Sequence, residues 1–403
     1  MNVTERFIKY VKVHTASVED IKCTPSSQIQ FDLAKALTEE MTELGFQNII
    51  LDEHAYVYGE LPATDGLAEK PAIVFIAHLD TIPDFSGENV RPQVISNYDG
   101  NDVVLGTSGR VLSPKEFPRL ADLAGQTLIT TDGTTVLGAD DKAGIAEIMT
   151  AFETLLRDDI PHRRVIACFT PDEEIGHGAA FLDIERTGAL FGYTVDGGTP
   201  CEINYETFNA AEARWSVKGF NIHPGSAKNK MLNAGLIAME INSMLPQNEI
   251  PSKTEGYEGF FHLTEMKGDV SSAELRYIIR DHDAAKFESR CSLMQSIEGE
   301  INKKYGEDTA KLSIIPQYRN MAELLKDHFE VVDMAKDAIR KEGMNPETPP
   351  IRGGTDGSQL TFRGLLCPNL GTGGYAAHGP YEHVTSEAME TVVRVILNII
   401  THE

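Results

Sequence analysis

Apolar residues arrive in this chain as short, nearly unbroken runs set between stretches of helical periodicity. Ile73-Val74-Phe75-Ile76 and Val165-Ile166-Ala167-Cys168-Phe169 are such runs, and their length and β-rich composition predict strands buried on both faces. Leu33, Ala36, Leu37, Met41 and Leu44 recur instead as one face of a helix that ends at Gly45, and Ile145, Ile148, Met149, Phe152 and Leu155 do the same further on. From Thr4 to about Ala210 the alternation of the two patterns predicts an α/β layer structure.

Near residue 208 the texture changes. Ala213 to Gly219 and Ala273 to Asp281 alternate as half-buried strands do, a helix is predicted near Asn233 to Met239, and a charged helix runs through Glu298 and Tyr305. Strands mixed with two helices over roughly 110 residues predict a small antiparallel α+β domain. Helices over Leu324 to Ile339 and near Met389 to Ile400 then resume the first pattern. Between Asp84 and Val136 lies a segment rich in turn formers, such as Asn97-Tyr98-Asp99-Gly100-Asn101-Asp102, which reads as an insertion at the rim of the site.

A chain of 403 residues, 41% apolar and 24% charged, exceeds one ordinary core and predicts two domains. A formal charge of −25 disfavours phosphate backbones and anionic membrane surfaces as partners. The cysteines are odd in number, widely spaced and without a Cys-x-x-Cys pair, which argues for a reducing cytoplasm and against a thiolate metal site. Neither an export signal nor a membrane span is expected.

The chemistry sits where the apolar runs stop. Ala77-His78-Leu79-Asp80 follows the first run and Pro171-Asp172-Glu173-Glu174 the second, and strand ends are where open α/β sheets keep their sites. Two residues apart on an extended segment, Asp80 can hold one nitrogen of His78 while the other binds metal. Adjacent glutamates allow one to ligate and the other to move protons. The same pattern is read at Val136-Leu137-Gly138 before Asp140-Asp141-Lys142, and at Phe191 to Val195 before Asp196-Gly197-Gly198. With His378 in its glycine-rich segment the donors become histidines and carboxylates, a mixture that suits zinc better than magnesium or calcium.

Taken in order, His78-x-Asp80, Asp140-Asp141-Lys142, Glu173-Glu174, Asp196 and His378 resemble the co-catalytic di-zinc metallopeptidase family of aminoacylases, glutamate carboxypeptidases and cytosolic dipeptidases. The resemblance spans essentially the whole chain. It implies an α/β fold: a mixed-sheet catalytic domain with helices on both faces, formed by residues 1–208 and 318–403, and an inserted α+β lid with an antiparallel sheet at 209–317. It also implies two zinc ions bridged by Asp140, with His78 and Asp196 completing one site and Glu174 and His378 the other. Asp80 then fixes the tautomer of His78, and Glu173 relays the proton from water to the leaving amine. A cis peptide is implied between Asp140 and Asp141, which assigns Asp141 to local geometry. On the lid, His223 resembles the histidine that donates to the oxyanion. A peptide substrate carries a carboxylate, for which Arg280 and Arg352 are candidate forks.

Each motif alone has a bland reading. His-x-Asp is commonly a surface pair, Glu-Glu a solvated helix start, Asp-Gly-Gly a turn; His223 precedes Pro-Gly, and Arg280 and Arg352 have Asp281 and Asp356 for neighbours. His383 rivals His378 but lacks the approach of Gly371, Gly373 and Gly374. In combination the motifs point to hydrolysis of a short peptide with a free N-terminus, releasing the first residue of a tripeptide. A dipeptidase or N-acyl amino acid amidohydrolase on the same frame is the alternative, and an inactive peptide-binding protein a remote one. Lids of the family this chain resembles either pair across a two-fold axis into a homodimer or cover only their own site. Phosphate loops and dinucleotide fingerprints are absent from the sequence, which sets phosphotransfer and redox chemistry aside.

Overall fold

A computed structural model describes residues 1–402. Met1–Tyr205, Met321–Pro349 and the chain from Thr355 onward form one compact unit; Glu206–Asn320 with Pro350–Gly354 forms a second. The mixed sheet and the separate antiparallel sheet that the resemblance implies are both present.

The first unit is built on seven strands in the spatial order Gln47–Leu51, Val57–Leu61, Val165–Thr170, Ile73–His78, Phe191–Gly197, Asn369–Gly371 and Ile203–Asn204. The four central ones run parallel and the outer pairings are antiparallel. All six residues of Ile73–His78 are buried because the sheet is covered twice. Ile73, Phe75 and Ala77 face a core shared with the helices Val3–Val11, Gln30–Leu44, Ala139–Arg157, Glu330–Lys341 and Ser386–Ile400. Val74 and Ile76 face the opposite core with Leu182, Leu360 and Leu365. Period-two alternation between two apolar layers is what makes the run read as continuous.

The single helix expected over Leu324 to Ile339 is two, Ala322–Leu325 and Glu330–Lys341. The second turns Val331, Val332, Ala335 and Ile339 into the main core, of which Leu325 is not a part. The segment from Asp84 to Val136 has a small core of its own, Tyr98, Leu105, Leu112, Leu120 and Leu128, with Tyr375 and Tyr381 packed against it. Its strand Leu128–Thr130 pairs with His383–Thr385. This insertion is therefore tied to the segment that carries His378.

In the second unit four antiparallel strands lie in the order Phe260–Gly268, Ser272–Asp281, Asn209–Lys218 and Ala310–Tyr318. Ala213, Trp215 and Val217 alternate inward with Leu275, Tyr277 and Ile279 against the helices Ala234–Met244 and Ala284–Tyr305. Pro350–Gly354, expected in the catalytic domain, belongs here instead. Its backbone bonds residues 206 to 208, Ile351 N–H to the Glu206 carbonyl and Phe208 N–H to the Gly353 carbonyl. Among the described residues no helix is long and apolar enough to cross a membrane.

Candidate active site

Three of the four parallel strands deliver a group named above at or just beyond their carboxyl ends, and the fourth leads to another. His78 ends Ile73–His78, Glu173 and Glu174 follow Val165–Thr170, Asp196 lies at the end of Phe191–Gly197, and His378 is in the loop after Asn369–Gly371. Loops at the carboxyl edge converge because parallel strands all point the same way. Asp140 comes from elsewhere. The sequence reads Val136-Leu137-Gly138 as an emerging strand, but these residues form none, and the helix Ala139–Arg157 begins directly after Gly138 turns the chain with φ 78°. Gly144 lets this helix pass close to the strand carrying Asp196, for a Cβ there would overlap the Val195 carbonyl oxygen.

Asp140 has one oxygen on each of two histidines. Its Oδ1 lies 2.9 Å from His78 Nε2 and its Oδ2 3.2 Å from His378 Nε2. His78 Nε2 is also 3.7 Å from Asp196 Oδ1, and His378 Nε2 is 3.1 Å from Glu174 Oε2. Donors about 2.0 Å from a tetrahedral ion stand roughly 3.3 Å apart, close to these histidine–carboxylate distances, and His78, Asp140 and Glu174 lie near enough to one another to hold a cation.

Asp80 orients this arrangement more fully than its place beside His78 suggests. His78 Nδ1 donates to the Asp80 carbonyl at 3.0 Å and lies 3.3 Å from its Oδ1. A carbonyl only accepts, so the proton is on Nδ1 and Nε2 is aimed at Asp140. The Asp80 carboxylate also accepts the N–H groups of Glu173 and Glu174, at 3.0 and 3.2 Å. One buried residue thus holds His78, chiefly through its carbonyl, and the backbone of the glutamate pair through its carboxylate. Asp141, His78 and Asp196 also lie close enough to hold a cation. The Asp141 oxygens, however, accept the N–H groups of His78 and Gly144 at 3.1 and 3.3 Å, and the Asp140–Asp141 peptide is cis.

Negative charge is in excess here. Burial, with the Asp140 charge behind it, pushes Asp196 up to about 7. Burial and Asp196 hold Glu173 well above the carboxylate range, and Glu174 is raised by burial too. His378, hydrogen-bonded to Asp140 and Glu174, rises to about 11. Burial opposes the His78 imidazolium, yet its bonds to Asp140, Asp196 and Asp80 carry it well above its ordinary value. Carboxylates and histidines raised side by side mark an excess of negative charge, which a divalent cation would offset.

Glu382 is a buried participant that sequence reasoning missed. Its carboxylate accepts the backbone N–H groups of Leu137, Gly138 and Asp140 at 2.7, 2.8 and 2.9 Å. Nothing in the sequence signals this, because a carboxylate that binds backbone needs no particular partner residue. His383, the rival histidine, is buried, stacks on Tyr375 at 5.4 Å and bonds the Tyr381 carbonyl. It takes no part in the cluster.

His223, Arg280 and Arg352 belong to the second unit. His223 is exposed, and its Nδ1 accepts the Gly225 N–H at 3.1 Å, which leaves Nε2 as the donor. Arg280 is mostly buried; its Nη1 donates to the Ala211 and Ile279 carbonyls and its guanidinium lies over Tyr318. Arg352 is used as a staple, bonding the Gly256 and Glu258 carbonyls and Thr254 Oγ1 and stacking on Phe208 and Phe260.

Residues 137–402 match the family model for Peptidase family M20/M25/M40. Curated relatives named peptidase T are similar over nearly full length. That of Bacillus licheniformis is 51% identical, covering 98% of this chain and 97% of its own. That of Desulfitobacterium hafniense is 52% identical, covering 99% and 97%. Among solved structures, the aminopeptidase PepT of Bacillus cereus aligns with a TM-score of 0.78 at 24% identity, over 99% and 97% of the two chains. A dinuclear metal-binding peptidase of Bacillus subtilis aligns with 0.65 at 15%, over 99% and 97%. The structures speak for the fold, the sequence relatives for the kinship: the chain belongs to Peptidase family M20/M25/M40, among its peptidase T members.

Proposed function

We propose that this peptidase is a zinc-dependent aminopeptidase that removes the N-terminal residue of tripeptides in the cytoplasm. The observation that carries the metal chemistry is Asp140, whose two oxygens each face a different histidine. On this reading two ions bind: His78 and Asp196 would hold one, Glu174 and His378 the other, and Asp140 both. When bound, such ions polarise a carbonyl and lower the pKa of water toward about 7.

The chain's own groups do the rest. Asp80 keeps His78 and the glutamate pair in register. Glu173, which has no histidine contact of the kind Glu174 makes, takes the proton from the attacking water and passes it to the leaving amine. His223, with Nε2–H free to donate, is the proposed oxyanion donor. Arg280 and Arg352 are the candidates for the substrate carboxylate, and both already hold partners within the second unit, Arg280 the Ala211 and Ile279 carbonyls and Arg352 three groups of the segment from Thr254 to Glu258.

Tripeptide preference is supported by the name and the near-full-length identity of the peptidase T relatives. The test is to incubate zinc-loaded protein with a free tripeptide, its N-acetylated form and the corresponding dipeptide, and to identify products by mass. Release of the first residue from the free tripeptide alone is expected. Cleavage of the acetylated peptide or the dipeptide instead moves the protein to the amidohydrolase or dipeptidase reading, and full zinc loading without turnover of any peptide to the inactive binding protein.

A further inference from the structure

The loop that presents His378 also carries Glu382, and together they hold Asp140 from two sides. Tyr375 and His383 close the loop by exchanging backbone hydrogen bonds at 2.9 and 3.0 Å. Inside it His378 adopts φ 66°, and its ring reaches the Asp140 carboxylate. Glu382, 2% exposed, reaches past it to the backbone of residues 137 to 140, where its carboxylate collects three N–H groups. One of these is the N–H of Asp140 itself, so the loop touches that residue at both its side chain and its main chain.

We propose that Glu382 is a positioning residue for the metal centre: it fixes the turn from Leu137 to Asp140 so that Asp140 presents one oxygen to each metal position. The proposal rests on Asp140 being the shared ligand. Three physical points support it. Charged acceptors make the stronger hydrogen bonds. A buried carboxylate deprived of its donors is costly, so the three N–H groups and the carboxylate hold one another in place. Finally, the residues so held are those in which the chain turns through Gly138 at φ 78° and enters its helix with non-helical angles at Asp140. Groups that orient metal ligands typically contribute 10- to 100-fold in metal affinity.

The experiment titrates zinc into the metal-free full-length protein against a chelating dye, with thermal melting of each metal-free variant alongside. The variants are Glu382→Gln, Glu382→Asp and Asp140→Asn. Glu382→Gln keeps the size but turns an amide NH2 toward backbone donors; about 10- to 100-fold weaker zinc binding by the folded protein is expected. Glu382→Asp keeps the charge at shorter reach and should fall between this variant and the parent. Parent-like zinc affinity in both, whatever their melting temperatures, would overturn the proposal and leave Glu382 a prop of the fold. Failure of both to fold would overturn it in the same way. Parent-like affinity in Asp140→Asn is a different failure: it removes the shared ligand and the proposal with it.

Discussion

The helix Ala139–Arg157 has a buried charge cluster at each end, and the two are built on opposite terms. Toward its C-terminus Arg6 is almost fully buried, and every charge has an answer. Its Nε meets Glu40 and its Nη2 meets Glu153, both at 2.7 Å, Nη1 donates to Thr150, and Lys9 completes Glu40 at 2.7 Å. Burial opposes ionisation of Glu40 and Glu153, but these partners hold both below the ordinary carboxylate value. At the N-terminus Asp80, Asp140, Asp141, Glu174 and Asp196 crowd about His78 and His378, and several carboxylates are held above it. The balanced cluster ties three helices together and asks for nothing more. The unbalanced one is unfavourable until a cation arrives, which is the difference between a structural ion network and a site.

Glu173→Gln gives the largest contrast. Loss of a general acid–base group should lower kcat by roughly 10²- to 10⁴-fold while zinc content stays at the parent level; parent-like kcat in the purified variant would remove Glu173 from the mechanism. At the other end, Arg6→Met should leave Glu40 with Lys9 alone and Glu153 with the N-terminal amine alone, and cost up to about 3–5 kcal/mol of stability. Denaturant unfolding reads this, and zinc content of the folded variant should not change. A variant that loses zinc as well would mean that the two clusters are not independent.

Between them, in the middle of the same helix, Glu147 is fully buried with neither oxygen hydrogen-bonded. Burial alone holds its pKa well above the ordinary value. Glu147→Met should therefore raise stability at pH 8 by about 1–3 kcal/mol; a loss of stability would show that this carboxylate has a partner in solution.

The smallest effect is the difference in pH response, and its sign separates the clusters. Asp196 titrates near 7 when folded against about 3.9 unfolded, so the stability it contributes is lost as pH rises between those values. His78 and His378, raised above about 6.5, contribute stability that is full below that value and lost on the way up, for His378 toward about 11. Both terms make metal-free protein melt lower at pH 8 than at pH 5.5, and saturating zinc should cancel the trend. Glu40 and Glu153, depressed when folded, contribute in the other direction: their stability is present above about 4.3 and lost as pH falls through the lower folded values. Arg6→Met should thus flatten the acid side of the curve alone. Melting curves of chelated and zinc-loaded protein across pH 3–8 test both signs.

The two clusters also differ in how far the sequence discloses them. His78, the glutamate pair and Asp196 are legible because each interrupts an apolar run that can only be a strand buried on both sides. The alternation of Ala213 to Gly219 and Ala273 to Asp281 is as clear, since one face of that sheet is polar. Asp140 is legible as a residue and not as a position: the apolar Val136-Leu137 resembles a strand end, and only Glu382 and the left-handed Gly138 make it a helix entry. Arg352 is legible as a candidate fork and not by its contacts: its bonds run to carbonyls near residue 256, and backbone acceptors have no sequence signature. The Arg6 network is invisible for the related reason that its partners lie 34 and 147 residues away on other helices.

The central claim is that the unbalanced end of this helix is a paired metal site with Asp140 shared between two ions. Zinc bound per chain, measured for the parent and for Asp140→Ala after exhaustive dialysis, tests it most directly. Two ions in the parent and neither in the variant are expected, with both proteins folded. A single ion in the parent, or two retained without the Asp140 carboxylate, would contradict the account.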